Sequence, residues 1–251
     1  MGLLIKGLSK AYSSRPMNQP MEILHSLDLD VESGSFVTLI GPSGCGKSTL
    51  CNLVAGIEVP DVGQILLDGQ AIQGLPGHVG YMPQKDLLLP WRTLLENVTL
   101  GSEIVHKDKR QARIEAKKWL DQFGLAPFSD HYPHQLSGGM RQRGALLRTI
   151  LFGQKTLLLD EPFGALDALT RQEMQRWLIK IWNQTRHTVL FITHDIDEAL
   201  LLSDKVVVLS QRPAQIIKEF LVPFPHPRDP ELLLSSECLN LKRQLLHLLL
   251  H

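Results

Sequence analysis

The glycine-rich segment at residues 41–49, GPSGCGKST, limits the possible folds of this chain more than any other stretch. It follows the apolar run at residues 36–40 and precedes residues 50–55, whose pattern continues as a helix. A glycine loop between strand and helix turns its N–H groups inward, and the helix N-terminus adds positive potential. We therefore expect a nucleoside triphosphate here, with Lys47 on the β- and γ-phosphates and Ser48 on Mg²⁺. The predicted nucleotide contacts of the loop are Gly41, Pro42, Ser43, Gly44, Cys45, Gly46, Lys47, Ser48 and Thr49.

Composition and charge indicate which partners and which cellular setting to expect for this chain. The 26 basic and 26 acidic residues balance to a formal net charge of +0, which gives no reason to expect a nucleic-acid partner. The three cysteines lack metal-binding spacing, which favours a reduced, cytosolic setting. No apolar run approaches the roughly 20 residues that a membrane span needs. The first residues become charged at Lys6, which is not typical of a signal peptide.

Three segments of β character lie near the N-terminus. Residues 3–7 and 23–31 read as strands, and residues 65–69 read as a strand that ends in an Asp-Gly turn. The polar, proline-containing residues 13–20 are predicted to be a loop. Together they indicate a small, partly antiparallel sheet beside the nucleotide core. Tyr12 stands just before this loop, either as an exposed ring that stacks on adenine or as a half-buried residue at a strand end.

Helical and strand patterns alternate in the second half of the chain. The helical patterns cover residues 91–128, 141–151, 171–182 and 196–202, and the strand patterns cover residues 156–160, 188–193 and 205–210. Such alternation predicts a parallel α/β sheet. In the leucine-rich residues 231–251, Leu241, Leu245 and Leu248 share one helical face. We expect this tail to pack on the domain, with a membrane-surface helix as the alternative.

Polar side chains stand at the ends of the predicted strands. A carboxylate at the end of a buried strand suits Mg²⁺, which gives Asp160 this role, and the adjacent Glu161 can polarise the attacking water. His194 can contact the γ-phosphate or that water, and Gln84 offers a neutral oxygen. Alone, each residue would be read as structural; beside an intact phosphate loop the functional reading is favoured. The predicted catalytic residues are Lys47, Gln84, Glu161 and His194, and the predicted Mg²⁺ ligands are Ser48, Gln84 and Asp160.

Six motifs follow one another along nearly the whole chain. They are residues 41–49, Gln84, Leu-Ser-Gly-Gly-Met at 136–140, residues 156–162, Ala-Leu-Asp at 165–167 and His194. Their order and the Leu-Ser-Gly-Gly run resemble an ABC transporter ATP-binding subunit. The resemblance implies one nucleotide-binding domain over residues 1–251, an α/β P-loop NTPase with a mixed or parallel sheet core. It also implies an N-terminal antiparallel β subdomain, an inserted helical subdomain at about residues 86–150 and a helical tail at about 231–251.

The same resemblance implies a head-to-tail homodimer that holds two ATP molecules. Ser137, Gly138 and Gly139 of one subunit would then contact the γ-phosphate bound to the other, and Asp167 would bridge the two sites. Tyr12 becomes the adenine-stacking ring. The other implied partners are transmembrane permease subunits and, indirectly, an extracytoplasmic solute-binding protein. The implied location is peripheral, on the cytoplasmic face of the inner membrane.

Further segments resemble the importers of nitrate, sulfonates and taurine. These are residues 86–97, 193–199 and 210–213, together with Trp182, whereas residues 131–135 resemble the pattern of importers in general. Relatives that import thiamine-precursor pyrimidines or riboflavin leave the solute open, and a soluble non-transport ABC ATPase or a non-hydrolysing regulator are further alternatives. Trp91 and residues 87–90 are expected to receive a short helix of the permease, with core packing as the alternative. Cys45 is either a reactive thiolate or a thiol turned inward.

Overall fold

The structure, a computed structural model, describes residues 2–14, 19–106 and 108–250. Its strands are β1 (Gly2–Ser14), β2 (Gln19–Glu32), β3 (Phe36–Ile40), β4 (Val62–Leu67), β5 (Gln70–Ala71), β6 (Gly80–Met82), β7 (Thr156–Asp160), β8 (Thr188–Ile192), β9 (Lys205–Leu209) and β10 (Ile216–Leu221). Its α-helices are α1 (Lys47–Val54), α2 (Leu94–Val98), α3 (Leu100–Ile104), α4 (Lys109–Gln122), α5 (Gly138–Leu151), α6 (Ala168–Thr185), α7 (Ile196–Leu202) and α8 (Ser236–Leu250).

A central sheet carries the strands that lead to the predicted site. Its order is β10-β9-β3-β8-β7-β6. The five strands from β9 to β6 are parallel, and β10 pairs antiparallel with β9. Strands β3, β7 and β8 are buried along their whole length, as expected for strands covered on both faces. Because the strands are parallel, the carboxyl ends of β3, β6, β7 and β8 meet at one edge.

A second sheet, in the order β2-β1-β4-β5, is antiparallel throughout and confirms the predicted N-terminal sheet. Asp68 and Gly69 turn the chain from β4 to β5 with φ of 49° and 85°, the backbone that an Asp-Gly hairpin adopts. The predicted loop at residues 13–20 was too long. Ser13 pairs with Pro20, which is tolerated because β2 is an edge strand and its proline has no N–H to donate to the ladder. Residues 15–18 of that loop lie outside the described residues.

Helices α2 to α5 stand between β6 and β7, in the region where helices were predicted. Two helices begin three residues earlier than their apolar patterns indicated. The Ser137 hydroxyl accepts the N–H of Met140 at 3.2 Å, and a carboxylate oxygen of Asp167 accepts the N–H of Thr170 at 3.0 Å. Both residues are therefore N-caps, which start α5 and α6 ahead of the first buried side chains.

Side chains of β7 and β8, in the middle of the central sheet, alternate between two apolar clusters. Leu157 and Leu159 of β7 belong to a cluster with α2, α4, α5 and α6, here called the helical cluster. Leu158 belongs to a second cluster with the antiparallel sheet and α1, here called the N-terminal cluster. In β8, Val189 and Phe191 face the first cluster, while Leu190 and Ile192 face the second. The sheet therefore separates two cores.

Helix α8 packs on the domain, as the sequence predicted. Cys238 and Leu245 are fully buried, and Leu241 and Leu248 pack beside them against β9 and α7. Arg228 holds the segment before this helix, since its guanidinium donates to the carbonyl oxygens of Leu200 and Ser203. Within the described ranges, no helix is both long enough and apolar enough to pass through a bilayer.

Candidate active site

The glycine loop connects the end of β3 to the start of α1, as predicted. Gly44 and Gly46 have φ of 74° and 124°, conformations that residues with a side chain rarely adopt. A Cβ at Gly46 would also lie 2.8 Å from the Ile23 side chain. Glycine is therefore required at Gly46 for two independent reasons, and the loop keeps the close turn that exposes its N–H groups.

The Lys47 ammonium group folds back over this loop. Its Nζ donates to the carbonyl oxygens of Gly41 at 2.8 Å and Pro42 at 2.9 Å, and the residue is only 8% exposed. Two neutral carbonyls compensate a buried cation incompletely. The charge is therefore held at the loop mouth, where an anionic phosphate is a stronger partner than a carbonyl.

The Cys45 thiol points away from solvent. The residue is 2% exposed and packs in the N-terminal cluster, with Sγ 3.8 Å from Lys47 Nζ. Of the two expectations for this residue, the structure supports the inward-facing thiol and not the accessible one. Only its backbone remains available to a nucleotide.

Asp160 and Ser48 place two oxygen atoms that could ligate a metal ion beside the loop. Asp160 ends β7 and is 3% exposed. Burial raises the pKa of this carboxyl group, and the hydrogen bond from the Ser48 hydroxyl lowers it. The negative charge of Glu161 raises the same pKa, and the positive charge of Lys47 lowers it. A buried carboxylate that lacks full compensation favours a cation, and Mg²⁺ prefers carboxylate and hydroxyl oxygens. The pair therefore fits Mg²⁺.

Three predicted side chains meet at the ends of neighbouring strands. Gln84 follows β6, Glu161 follows β7 and His194 follows β8. Gln84 Nε2 donates to Glu161 Oε2 at 3.0 Å, and His194 Nδ1 lies 3.3 Å from Glu161 Oε1. Both carboxylate oxygens of Glu161 are thus oriented by a neighbour. The side chains of Glu161 and His194 are 20% and 68% exposed, so the carboxylate is accessible to water.

The backbone of Glu161 is also unusual. Its φ is 48°, which is uncommon for a residue with a side chain, and its N–H donates to the Ile192 carbonyl at 2.9 Å. The hydrogen bond to the end of β8 holds the residue in this conformation. Non-glycine residues with positive φ are frequent at functional sites.

The residues predicted to act on the ATP site of a second subunit, Ser137 to Gly139 and Asp167, lie at the starts of α5 and α6. The described hydrogen bonds of Ser137 and Asp167 stay within α5 and α6, and none of them reaches the phosphate loop. Ser137 and Gly138 are exposed, so the N–H groups at the start of α5 are open to solvent. Hydrogen bonds from Thr170 lower the pKa of Asp167, which therefore stays ionised.

Tyr12 is less exposed than an adenine-stacking ring was expected to be. It is half-buried against the N-terminal cluster, and its hydroxyl donates to Glu58. Lys10 Nζ lies 5.6 Å from the ring centroid. Burial and the Glu58 carboxylate raise the pKa of the phenol. Locally this matches the half-buried strand-end alternative, and the stacking role stays a prediction.

Sequence reasoning missed one contact of the phosphate loop. The Arg212 guanidinium donates to the carbonyl oxygen of Gly44. Gln211 and Arg212 line a cavity of about 320 Å³ with residues 42–45 of the loop. The one sequence signal near this contact is the Ser-Gln-Arg-Pro run at residues 210–213, which indicates a family resemblance but no contact with the loop.

The comparisons with known proteins agree with this geometry. A family model described as "ABC transporter" matches residues 24–164, more than half of the chain. The chain belongs to the ABC transporter family. The taurine import ATP-binding protein of Yersinia pestis is 42% identical over 222 residues, which cover 88% of this chain and 85% of that protein. The formylaminopyrimidine import ATP-binding protein of Halalkalibacterium halodurans is 45% identical over 221 residues, which cover 88% and 84%.

A solved ABC cassette also superposes on this chain. It is a dimer in a post-hydrolysis state bound to ADP and Pi, with a TM-score of 0.79 and 27% identity. The match covers 89% of this chain and 100% of that one. The predicted P-loop NTPase fold, ABC family and ATP-binding ATPase activity are confirmed.

Proposed function

We propose that this chain is the ATP-hydrolysing subunit of an importer, and that it energises uptake of a small solute through separate transmembrane subunits. The names of the two import relatives support this role. We assign a small anion of the nitrate, sulfonate and taurine type as the solute. A pyrimidine-type solute is the alternative, since the relatives named for taurine and for formylaminopyrimidine are 42% and 45% identical.

The observation that carries the proposal is the convergence of Gln84, Glu161 and His194 at one edge of the sheet. Glu161 accepts a hydrogen bond from the attacking water, which polarises the O–H bond and orients the water oxygen toward the γ-phosphate. Gln84 and His194 each hold one oxygen of that carboxylate in place. Lys47 leaves its two loop carbonyls for the β- and γ-phosphates. Mg²⁺, held by Ser48, Asp160 and Gln84, would neutralise phosphate charge.

The active form in this proposal is a homodimer with ATP at the interface. At the exposed start of α5 the N–H groups of Gly138 and Gly139 precede the first intrahelical hydrogen bond and lie at the positive end of a 14-residue helix, which suits an anion. Ser137, Gly138 and Gly139 therefore receive the γ-phosphate held by the second subunit, and the ionised Asp167 bridges the sites. The dimeric state of the solved relative supports this arrangement.

A surface groove supports the permease as a further partner. It has a volume of about 1120 Å³ and is lined by residues of α2, α3 and α4. Trp91 and Leu87 are 71% and 57% exposed, so the alternative of core packing does not hold for these two side chains, but it does hold for Leu88, which is buried in the helical cluster. We assign this groove to a short permease helix, which places the subunit at the cytoplasmic membrane face. A solute-binding protein acts through the permease only, and no nucleic acid takes part.

Glu161→Gln is the decisive variant, because it keeps the side-chain volume and removes the charge that orients water. ATP hydrolysis should fall by roughly 100-fold or more while ATP binding persists. With Mg²⁺ and ATP the variant should then elute as a dimer in gel filtration, because bound ATP stabilises the interface. Glu219→Gln on β10 is the matched control and should hydrolyse ATP normally. A Glu161→Gln protein that binds ATP but remains monomeric would contradict the shared-site proposal.

A further inference from the structure

Glu198 is a buried carboxylate for which the proposed mechanism has no role. It lies on α7 and is 5% exposed. Its Oε2 accepts the Thr193 hydroxyl at 2.6 Å, and its Oε1 accepts Nε2 of Gln175 at 3.0 Å. Nε of Arg171 lies 3.8 Å from Oε1. Burial raises the pKa of this carboxyl group against the effect of these three partners. Burial of a carboxyl group is tolerated when its hydrogen bonds are satisfied, as they are here on both oxygens.

The Thr193 hydroxyl fixes the turn that carries His194. It donates to Glu198 and accepts the N–H of Asp195 at 3.0 Å. His194 stands between these two residues. Asp195 Oδ1 in turn accepts the N–H groups of Asp197 and Glu198, which starts α7. The His194 turn is therefore tied at both ends to the helix that carries Glu198.

Arg171 connects the same carboxylate to the loop that carries Asp167. Its Nη2 donates to the carbonyl oxygen of Leu166 at 3.2 Å, the residue before Asp167. Its Nη1 lies 3.9 Å from Asp195 Oδ2, and its Nε faces Glu198. Arg171 lies on α6, the helix that Asp167 caps. One buried carboxylate thus contacts groups that fix both loops.

We propose that Glu198 is a positioning residue that fixes the His194 loop and the Asp167 loop in one geometry. The inference rests on the proposed roles of His194 in hydrolysis and of Asp167 at the subunit interface. Because Thr193 and Arg171 face the two oxygens of one carboxylate, a displacement of His194 by nucleotide also displaces the ion pair of Arg171, whose guanidinium holds the residue before Asp167. The state of one ATP site is thereby transmitted to the residue that faces the second subunit.

Two substitutions of Thr193 separate positioning from packing. Thr193→Val keeps the volume and removes the hydroxyl, whereas Thr193→Ser keeps the hydroxyl and removes a methyl group. Since small misplacements of a catalytic group can lower a rate by roughly 100-fold, Thr193→Val should lower kcat by about 10- to 100-fold. Its KM for ATP should stay within about twofold, because the phosphate loop is unchanged. Thr193→Ser should keep most of the native kcat.

Glu198→Gln extends the test to the carboxylate, with Glu219→Gln as control. It should lower kcat without raising KM, while the control should match the native chain. Equal loss in Thr193→Val and Thr193→Ser, or a normal kcat in Thr193→Val, would overturn the inference. Thermal unfolding shows whether Thr193→Val is folded. If it is not, Glu198→Gln decides the question: a lower kcat with an unchanged KM supports the inference, and a normal kcat overturns it.

Two further variants separate this inference from the proposed function. Glu161→Gln and His194→Ala are assayed in parallel. If both retain hydrolysis, the proposed function fails first. If both lose hydrolysis while Thr193→Val and Glu198→Gln do not, the positioning role alone is wrong.

Discussion

At the scale of single residues, the sequence predicted which side chains lie together at the candidate site, but not the directions in which they point. Lys47, Asp160, Glu161 and His194 were named from strand ends and a glycine loop, and the structure places them along one edge of the sheet. The direction of Cys45 could not be predicted, because a loop residue has no periodicity to mark its buried face. The contact between Arg212 and the phosphate loop joins residues 168 positions apart, and no local pattern predicts it.

The inward direction of Cys45 predicts a slow reaction with maleimide. All three cysteines are free thiols and are at most 2% exposed. Brief labelling of the native protein, read by mass spectrometry, should therefore modify none of them substantially, with or without ATP. Unfolding in guanidinium is the control and should expose all three. Fast labelling of Cys45 that ATP suppresses would show that the thiol is accessible after all.

At the scale of helices and strands, boundaries were predicted best where the apolar pattern was continuous. β7 and α7 begin and end at the predicted residues, whereas α5 and α6 begin at polar caps that the apolar pattern does not mark. β10 was missed because its burial does not follow a strand pattern: among Ile216–Leu221 only Phe220 is fully buried. An edge strand of this kind depends on a neighbour that sequence periodicity does not reveal.

Asp204 connects three strands and gives a prediction on pH. Its Oδ2 accepts the Phe36 N–H at 2.9 Å, and its own N–H donates to the Phe36 carbonyl. Its carbonyl accepts the N–H of Val222, which follows β10. Burial by itself would raise the pKa of this carboxyl group, but the His226 imidazole, the Phe36 N–H and Arg228 outweigh it and lower the pKa.

Because the pKa of Asp204 is lower in the folded state, the unfolded chain binds more protons in the interval below about pH 4. The contribution of ionised Asp204 to the free energy of unfolding is present above that interval, and it is lost as the pH falls through the pKa that Asp204 has in the folded state. Asp204→Asn should lower Tm at pH 7 by roughly 2–6 °C and should flatten the decline of Tm with acid. Thermal unfolding from pH 7 to pH 3 measures both effects. Asp121→Asn, on the exposed face of α4, is the control, and equal behaviour of the two variants would contradict the role of Asp204.

At the scale of the whole molecule, the proposal that the groove beside Trp91 receives the permease predicts that transport and ATP hydrolysis can be impaired separately. Trp91→Ala removes an exposed aromatic side chain that lies outside the phosphate loop at residues 41–49. Loss of such an anchor typically costs about 2 kcal/mol, so affinity for the permease should fall by roughly 30-fold. ATPase turnover of the isolated subunit should stay within about twofold, since no predicted catalytic residue lines the groove.

Two measurements on the same preparation test this expectation. They are the ATPase rate of the free subunit and solute uptake by the reconstituted transporter. Leu221→Ala on β10 is the control, since that side chain is 77% exposed and lies away from the groove. Uptake and free ATPase activity that decline together in Trp91→Ala would assign the tryptophan to stability instead.

The alternation of side chains across the central sheet also matters for how such a chain can diverge. Leu157 and Leu159 contact the helical cluster, and Leu158 contacts the N-terminal cluster. A substitution at Leu157 or Leu159 changes the packing of the helical cluster, whereas a substitution at Leu158 changes the packing of the N-terminal cluster. Over evolution, the helical cluster can therefore change in small steps while the N-terminal cluster, which packs beside α1 and the phosphate loop, is retained. One chain thus carries two cores that can vary separately on either side of one hydrolytic edge.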